Sequence, residues 1–169
     1  MPPTPSAPSA YTKAVQLLAG RAHFRAELET KLARRGYPAE EIEAALDRLA
    51  REGYLDDRET AMEFTAARLA KGGEGRLRLK AELTRRGVDP EAAAAAVAAL
   101  APEDDLPAAR EVAARWASRR SHSGAPLSQA HLASLARHLE RKGFSRRAIV
   151  AVLKEQPGGS SSFDEEGDG

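Results

Sequence analysis

The sequence predicts an all-α protein, built as an elongated array of three tandem three-helix repeats that are helix-turn-helix-like units. Three observations support this fold class. The chain of 169 residues is 42% hydrophobic but only 5% aromatic, and 30% of its residues are charged, a composition typical of helices with large exposed surfaces. Its apolar residues recur at helical spacing. One pattern of residues also occurs three times along the chain.

The repeated pattern is centred on three glycines, Gly36, Gly87 and Gly143. A leucine stands eight residues before each glycine and another stands four residues before it, so both leucines lie on one face of a helix. These leucines are Leu28, Leu32, Leu79, Leu83, Leu135 and Leu139. We interpret each glycine as a left-handed cap that ends one helix directly before the next helix begins. The pattern therefore predicts three helix-turn-helix pairs.

Residues that favour helix starts follow each glycine. Asp89 with Pro90, and Ser145, are suitable N-caps, and Pro38 suits a helix start. A further helix is predicted before each pair, at about 11–19, 57–70 and 106–120. We therefore expect repeats at 11–56, 57–103 and 104–156, with links at 71–75 and 121–126 that allow bending. Residues 1–10 and 157–169 are expected to be disordered, because their composition cannot bury enough apolar surface.

Composition restricts the compartment and the class of partner. The chain has no cysteine and no apolar run near the roughly 20 residues that cross a bilayer, so we expect a cytoplasmic protein without a membrane partner. Its last 13 residues contain four of the 25 acidic residues and no basic one, which leaves 26 basic and 21 acidic residues in the rest of the chain. This modest excess suits nucleic acid or an acidic protein surface.

The basic residues concentrate at the repeated turns and on one helix. Two basic residues precede each glycine, and three more lie near Leu79 on the first helix of the second pair. The candidate contacts with a partner or with DNA are Arg34, Arg35, Arg76, Arg78, Lys80, Arg85, Arg86, Arg141 and Lys142. The alternative account is that cations near a helix C-terminus interact with its last carbonyl groups.

No arrangement of residues predicts catalysis, a metal site or a cofactor. The four histidines lack ligand spacing with carboxylates, and no serine lies in a nucleophile motif. The glycine-rich segment 71–76 precedes a helix and is able to hold a phosphate, but it lacks the Walker spacing. We favour a flexible hinge there. The acidic runs at 56–57 and 103–105 are interpreted as helix caps.

Several further residues carry a resemblance to a known family, and it covers most of the predicted helical body. They are Leu17, Leu18, Arg21, Glu27, Leu28, Leu32, Gly36, the junction Gly53-Tyr54-Leu55-Asp56-Asp57, Ala61, Arg68, Gly75, Glu82, Leu83, Gly87, Gly143, Phe144, Ser145 and Ile149. In their order and spacing the chain resembles the RecX family of bacterial regulators of the RecA recombinase. It departs from the family pattern at Gly20, where a basic residue is common, and at Thr60, where an aromatic residue is usual.

The resemblance implies a monomeric protein that binds RecA in the groove of its filament on single-stranded DNA. It would modulate, most often negatively, the ATPase, strand exchange and co-protease activities of RecA in DNA repair and the SOS response, and bind DNA alone only weakly. A second hypothesis is a direct helix-turn-helix DNA-binding protein, which predicts tight duplex binding with steep salt dependence. An enzyme would need a pocket of converging polar groups, for which the sequence supplies no candidate set.

Overall fold

A computed structural model describes residues 8–100, 105–120 and 127–156 of the chain. Within those residues it has nine α-helices and no β-strand. The helices are α1 (Ala10–Gly20), α2 (Arg25–Ala33), α3 (Ala39–Arg51), α4 (Asp57–Lys71), α5 (Arg76–Arg85), α6 (Pro90–Leu100), α7 (Leu106–Ser118), α8 (Gln129–Arg141) and α9 (Arg146–Glu155). The predicted all-α fold class is therefore confirmed.

The chain folds as two compact units. The first unit combines the described residues up to Phe64 with Leu83–Ala96, and the second combines Thr65–Glu82 with the described residues from Val97 onward. Residues of the predicted second repeat, 57–103, are thus divided between the two units. The repeat boundaries taken from the sequence stay a prediction.

The core of the first unit lies between α1, α2 and α3. Helix α3 contributes residues at i, i+3, i+4 and i+7, the spacing of one helix face; they are Ile42, Ala45, Leu46 and Leu49, and all four are buried. On α1 the buried residues are the small Ala10 and Ala14, which allow the helix backbone to approach its neighbours closely. This core holds the first glycine turn in place.

The core of the second unit lies between α7, α8 and α9. Its largest member is Trp116 of α7, which is 5% exposed. Leu132, Leu135 and Leu139 of α8 share one helix face and are buried against it. The core therefore fixes the C-terminal ends of α7 and α8, which carry several of the basic residues considered below.

The three glycine turns have the same backbone geometry. The φ angles of Gly36, Gly87 and Gly143 are 84°, 88° and 80°, in the left-handed region that favours glycine. In each turn the residue after the glycine donates its N–H to the carbonyl five residues earlier, at N···O distances of 3.4, 3.1 and 3.2 Å. This is the bond of a Schellman cap, and the six leucines before the turns are all buried. The predicted left-handed caps are confirmed.

The helix starts are capped partly as the sequence predicts. Ser145 Oγ accepts the N–H of Ala148 at 3.2 Å, and Asp89 Oδ1 accepts two N–H groups in the first turn of α6. These bonds satisfy amide groups that have no partner within the helix. Asp56 does the same for α4 through the N–H groups of Arg58 and Glu59.

Two other acidic residues cap helices distant in sequence. Asp57 Oδ1 accepts the N–H of Arg25, the first residue of α2, at 2.7 Å, and burial raises the pKa of Asp57. Asp105 accepts both the N–H and the hydroxyl of Ser145 at 2.7 and 2.6 Å, and so supports the N-cap of α9. These carboxylates join separate helices within a unit. The other two predicted caps, Glu103 and Asp104, lie outside the described residues.

The glycine-rich link at 71–75 is held firmly, contrary to the predicted hinge. The N–H of Gly75 donates to the carbonyl of Lys142 at 2.8 Å, and the N–H of Leu77 donates to the carbonyl of Gly143 at 3.1 Å. A Cβ atom on Gly75 would overlap the backbone of Gly143 and Phe144. The glycine therefore serves close backbone contact within the second unit rather than freedom to bend.

The other segments expected to be flexible fall mainly outside the described residues. These are the link at 121–126 and the terminal residues 1–7 and 157–169. At the N-terminus, Ser9 Oγ accepts the N–H of Thr12 and Ala10 is buried. Helix α1 therefore begins within the segment 1–10 that the sequence predicts to be disordered.

Replacement of Gly75 by alanine is expected to lower the free energy of unfolding by about 1–3 kcal/mol, the usual cost of overpacking. The added Cβ forces α5 away from the turn that follows α8. Urea denaturation followed by circular dichroism measures the change. The control is Gly20→Ala, because a Cβ at Gly20 meets no atom within 4 Å. Equal stability of the two variants would show that the close approach of Gly75 to Gly143 is unimportant.

Candidate functional site

The basic residues of α5 differ in their surroundings. Arg76 and Lys80 are four residues apart on one face of the helix, where Arg76 is half-buried and Lys80 is exposed. Arg78 instead donates to Glu74 Oε1 at 3.1 Å and to the carbonyl of Arg141 at 3.0 Å. Arg78 therefore helps to hold the second unit together, whatever else it contacts.

The basic pair that ends α5 lies in the first unit. Arg86 Nη1 is 3.2 Å from Glu27 Oε1, and its guanidinium lies 4.7 Å from the centre of the Phe64 ring, within the range of a cation–π interaction. Its neighbour Arg85 is exposed. The structure thus gives Arg86 a packing role in addition to the contact role predicted for it.

The pair after α2 is exposed. Arg35 donates to the carbonyl of Lys31 at 2.7 Å, a bond of the kind expected between a cation and the last carbonyls of a helix. Arg34 is the C-cap residue of α2. Arg35 therefore makes the contact of the alternative account, in which a cation near a helix C-terminus interacts with the last carbonyl groups.

The third pair lines a pocket of the second unit, which we call the basic pocket. Its volume is about 570 Å³. The ionisable residues that line it are Lys71, Arg115, Arg119, Arg120, His138, Arg141 and Lys142. No aspartate or glutamate is among the described residues that line it. The pocket therefore collects six cations and one histidine around a single volume.

The basic pocket forms where three helices end. Helix α4 ends at Lys71, α7 ends one residue before Arg119, and α8 ends at Arg141. Each helix C-terminus carries about −0.5 of an elementary charge, so the three together amount to roughly −1.5. Six formal positive charges exceed this value several-fold. Neutralisation of helix dipoles therefore explains only a part of the positive charge in the pocket.

Packing fixes the side chain of Arg120 in the pocket. Its guanidinium lies 4.4 Å from the centre of the Trp116 ring, which itself belongs to the core of the second unit. On another side of the pocket, Gly73 has a φ of 83°, and a Cβ there would lie 3.8 Å from Arg115 Nη2. The absence of a side chain at Gly73 leaves space next to the Arg115 guanidinium.

His138 is surrounded by positive charge. Burial lowers its pKa, and Lys142, Arg141, Arg120 and Arg119 lower it further because each disfavours a second cation nearby. A lowered pKa favours the neutral imidazole at pH 7. Among the described residues that line the pocket, His138 is the one whose type of side chain titrates in the physiological range.

A partly buried ion-pair cluster supports the link next to the pocket. Glu74 is 2.8 Å from Arg68 Nε and 3.1 Å from Arg78 Nε, and its side chain is 15% exposed. Burial raises the pKa of Glu74, but the hydrogen bonds and charges of Arg68 and Arg78 outweigh that effect, so the pKa lies below its ordinary value. The carboxylate therefore stays ionised and fixes the link from both sides.

Sequence reasoning found Arg141 and Lys142 but missed Arg115, Arg119 and Arg120. A signal was present at the end of α7, where Arg119 and Arg120 form a basic pair like those before the glycines. No glycine follows this pair at the same spacing, so a search centred on the repeated turns does not include it. Lys71 begins the glycine-rich segment 71–76, for which we consider a phosphate site but favour a flexible hinge.

No candidate metal site and no candidate membrane-spanning helix lies in the described residues. They contain no group of three or more His, Cys, Asp or Glu residues that could hold a metal ion. Within the same residues, no helix is both long enough and apolar enough to cross a membrane.

Comparison with known proteins places the chain in a family. Residues 10–49 match the model of the first three-helix domain of RecX, and residues 56–97 match that of the second. A protein of Mycolicibacterium smegmatis named "Regulatory protein RecX" is 33% identical over 140 residues, which are 82% of this chain and 74% of that protein. The chain belongs to the RecX family. The same name is carried by a Chlorobaculum tepidum protein that is 46% identical over 80 residues, 47% of this chain and 50% of the relative.

Solved structures of the RecX family have the same fold. The crystal structure of RecX from Lactobacillus salivarius has a TM-score of 0.74 at 21% identity, and the similarity covers 86% of this chain and 93% of that one. A second crystal structure, of a regulatory protein RecX, has a TM-score of 0.78 at 19% identity over 86% and 72% of the two chains. The prediction of RecX-type tandem three-helix domains is therefore confirmed.

Replacement of Glu74 by glutamine is expected to lower the free energy of unfolding at pH 7 by about 1–3 kcal/mol, because it removes the negative charge and one of the two oxygens that accept from Arg68 and Arg78. The pKa of Glu74 is lower in the folded state than in the unfolded state. The stabilisation by the Glu74 carboxylate is therefore complete above the pKa of the unfolded state. It is lost as the pH falls through the pKa of the folded state.

The pH dependence is measured by urea denaturation at several pH values between 7 and 3. The difference between the wild type and E74Q should shrink as the pH falls. The exposed Glu111→Gln is the control in the same unit, and its stability should follow the wild type throughout. A constant difference between E74Q and the wild type down to pH 3 would contradict the role given to the Glu74 carboxylate.

Proposed function

We propose that the protein binds RecA and its filament on single-stranded DNA, and that it inhibits the ATPase, strand exchange and co-protease activities of RecA. The observation that carries this proposal is membership of the RecX family, since the relatives are named regulatory proteins. In the proposal the protein acts in the cytoplasm, as a monomer, during DNA repair and the SOS response. It has no catalytic site and no cofactor, because the ATP is bound and hydrolysed by RecA.

The distribution of basic residues supports binding through several modest contacts. Exposed cations lie after α2 and on α5, and the pair at the end of α8 lines the basic pocket, so the cations are not gathered at a single place. Contacts that are individually weak combine into a tight interaction when they are made at the same time. A RecA filament repeats its binding surface along its length, so a protein with several separate contacts suits it.

The first experiment measures ATP hydrolysis by RecA on single-stranded DNA while the amount of this protein increases. We expect inhibition at well below one molecule per RecA, because one bound molecule affects several subunits of a filament. The protein without RecA should bind duplex DNA weakly. No effect on RecA, together with tight duplex binding by the protein alone, would support the direct helix-turn-helix DNA-binding function instead.

The double variant Arg76→Glu and Lys80→Glu is expected to raise the concentration for half-maximal inhibition about tenfold, which corresponds to about 1.4 kcal/mol of binding free energy. The two changes reverse the charge of one face of α5. The control reverses two exposed cations elsewhere, Arg51→Glu and Arg58→Glu, so that the net charge changes equally. Equal loss of inhibition in both variants would remove α5 from the proposed contact surface.

A further inference from the structure

The basic pocket contains more positive charge than the fold itself requires. Its six cations come from three separate segments of the chain, 71–73, 112–120 and 134–142. Like charges gathered around one partly enclosed volume repel each other, and no carboxylate among the described lining residues offsets them. An anion in the pocket would convert this repulsion into attraction.

The chemistry of the pocket favours phosphate. Four of its six cations are arginines, and a planar guanidinium donates two parallel hydrogen bonds to the oxygens of a phosphate. Arg120 is already held against Trp116, so little side-chain freedom is lost when it binds. The cations also converge on one volume, which suits a compact anion better than carboxylates spread over a protein surface.

The shape of the pocket favours a single strand over a duplex. A volume of about 570 Å³ is within the range of pockets that enclose small molecules. A duplex presents its phosphates on a stiff cylinder. A single strand is flexible enough to turn one phosphate into a pocket, and proteins bind such strands through positively charged grooves that follow the backbone.

We propose that the basic pocket binds a backbone phosphate of a single nucleic-acid strand, and that His138 takes up a proton when the phosphate enters. This inference deepens the proposed function, because the pocket would make the contact with the DNA strand inside the RecA filament. It rests on the proposed function for that role in the filament. The binding itself involves only residues of this chain and is testable without RecA.

The linked proton follows from the groups around His138. Arg141 and Lys142 face it from α8, and Arg119 and Arg120 face it from the end of α7; Lys71 and Arg115 line the same pocket. Burial lowers the pKa of His138, and these cations lower it further. A phosphate offsets the cations and therefore raises that pKa. Binding thus takes up a proton and becomes tighter as the pH falls through the pKa that His138 has in the complex.

The test measures binding of a fluorescent oligothymidylate to the full chain at low salt, without RecA. The pocket variant is Arg119→Gln with Arg141→Gln. The matched control is Arg137→Gln with Arg147→Gln, two exposed cations of α8 and α9 outside the pocket, which changes the net charge equally. We expect at least a tenfold weaker affinity for the pocket variant and less than a twofold change for the control.

Salt dependence gives a second measurement on the same variants. The slope of log K against log salt should become shallower by about 0.7 for each phosphate that the pocket variant no longer neutralises, and should stay unchanged in the control. Equal reductions of affinity and slope in both variants would overturn the proposal, because the binding would then depend on net charge alone. Circular dichroism and the thermal midpoint check that each variant is folded.

Two competitors distinguish the sources of the anion. Inorganic tripolyphosphate presents phosphate without a strand, and polyglutamate presents carboxylates on a polypeptide. At equal anion concentration, each competitor should displace the labelled oligothymidylate less than unlabelled oligothymidylate does. That result supports the proposal. Stronger displacement by tripolyphosphate would assign the pocket to a free polyphosphate. Stronger displacement by polyglutamate would assign it to an acidic protein. Either result overturns the proposal.

Nuclear magnetic resonance of the wild-type protein follows His138 directly. Addition of the oligothymidylate should raise the pKa of His138, and His138→Gln should keep the binding but lose its tightening at low pH. An unchanged pKa of His138 in the complex would overturn the proposal. These results do not depend on RecA: failure of the wild type to inhibit RecA ATPase would overturn the proposed function and leave the pocket assignment standing.

Discussion

The left-handed glycine turn is the constraint on which the rest of the structure depends. Each turn ends one helix, sets the direction of the next and bonds the residue after the glycine to a carbonyl five residues earlier. That bond brings Val88 and Phe144 into the interior beside the last leucine of the preceding helix. The basic pairs lie just before the turns, so the same geometry that closes the core also places the cations at helix ends.

Much of the fold was predictable because it is determined locally. Leucine spacing, glycine position and the caps at Asp89 and Ser145 act within one or two helical turns, and the helices begin and end within a few residues of their predicted bounds. Gly75 shows where this reasoning stops. A glycine that gives freedom and a glycine that permits close backbone contact look the same in a sequence, since both positions lack a Cβ. Only the partner, Gly143, decides between them.

The candidate site was less predictable because its residues are distant in the chain. Lys71 and Arg141 reach the same pocket only after α4 and α8 have packed within the second unit. Local charge patterns also do not separate roles. Arg78 and Arg86 resemble their basic neighbours in sequence, but the first binds Glu74 and the second binds Glu27 and Phe64. Tertiary contacts therefore divide the cations into those that support the fold and those that line the pocket.

The second unit is built from two separate stretches of the chain, and this limits where the chain can be cut into fragments. Residues 65–82 precede most of that unit in sequence, yet they pack with residues beyond Val97. A fragment that stops after the second family domain keeps α5 but removes the turn at Gly143 to which its first amides are bonded. Early termination of translation, or a proteolytic cut, between the second family domain and Gly143 would remove the packing partners of residues on the N-terminal side. Family domains and compact units are therefore different divisions of this chain.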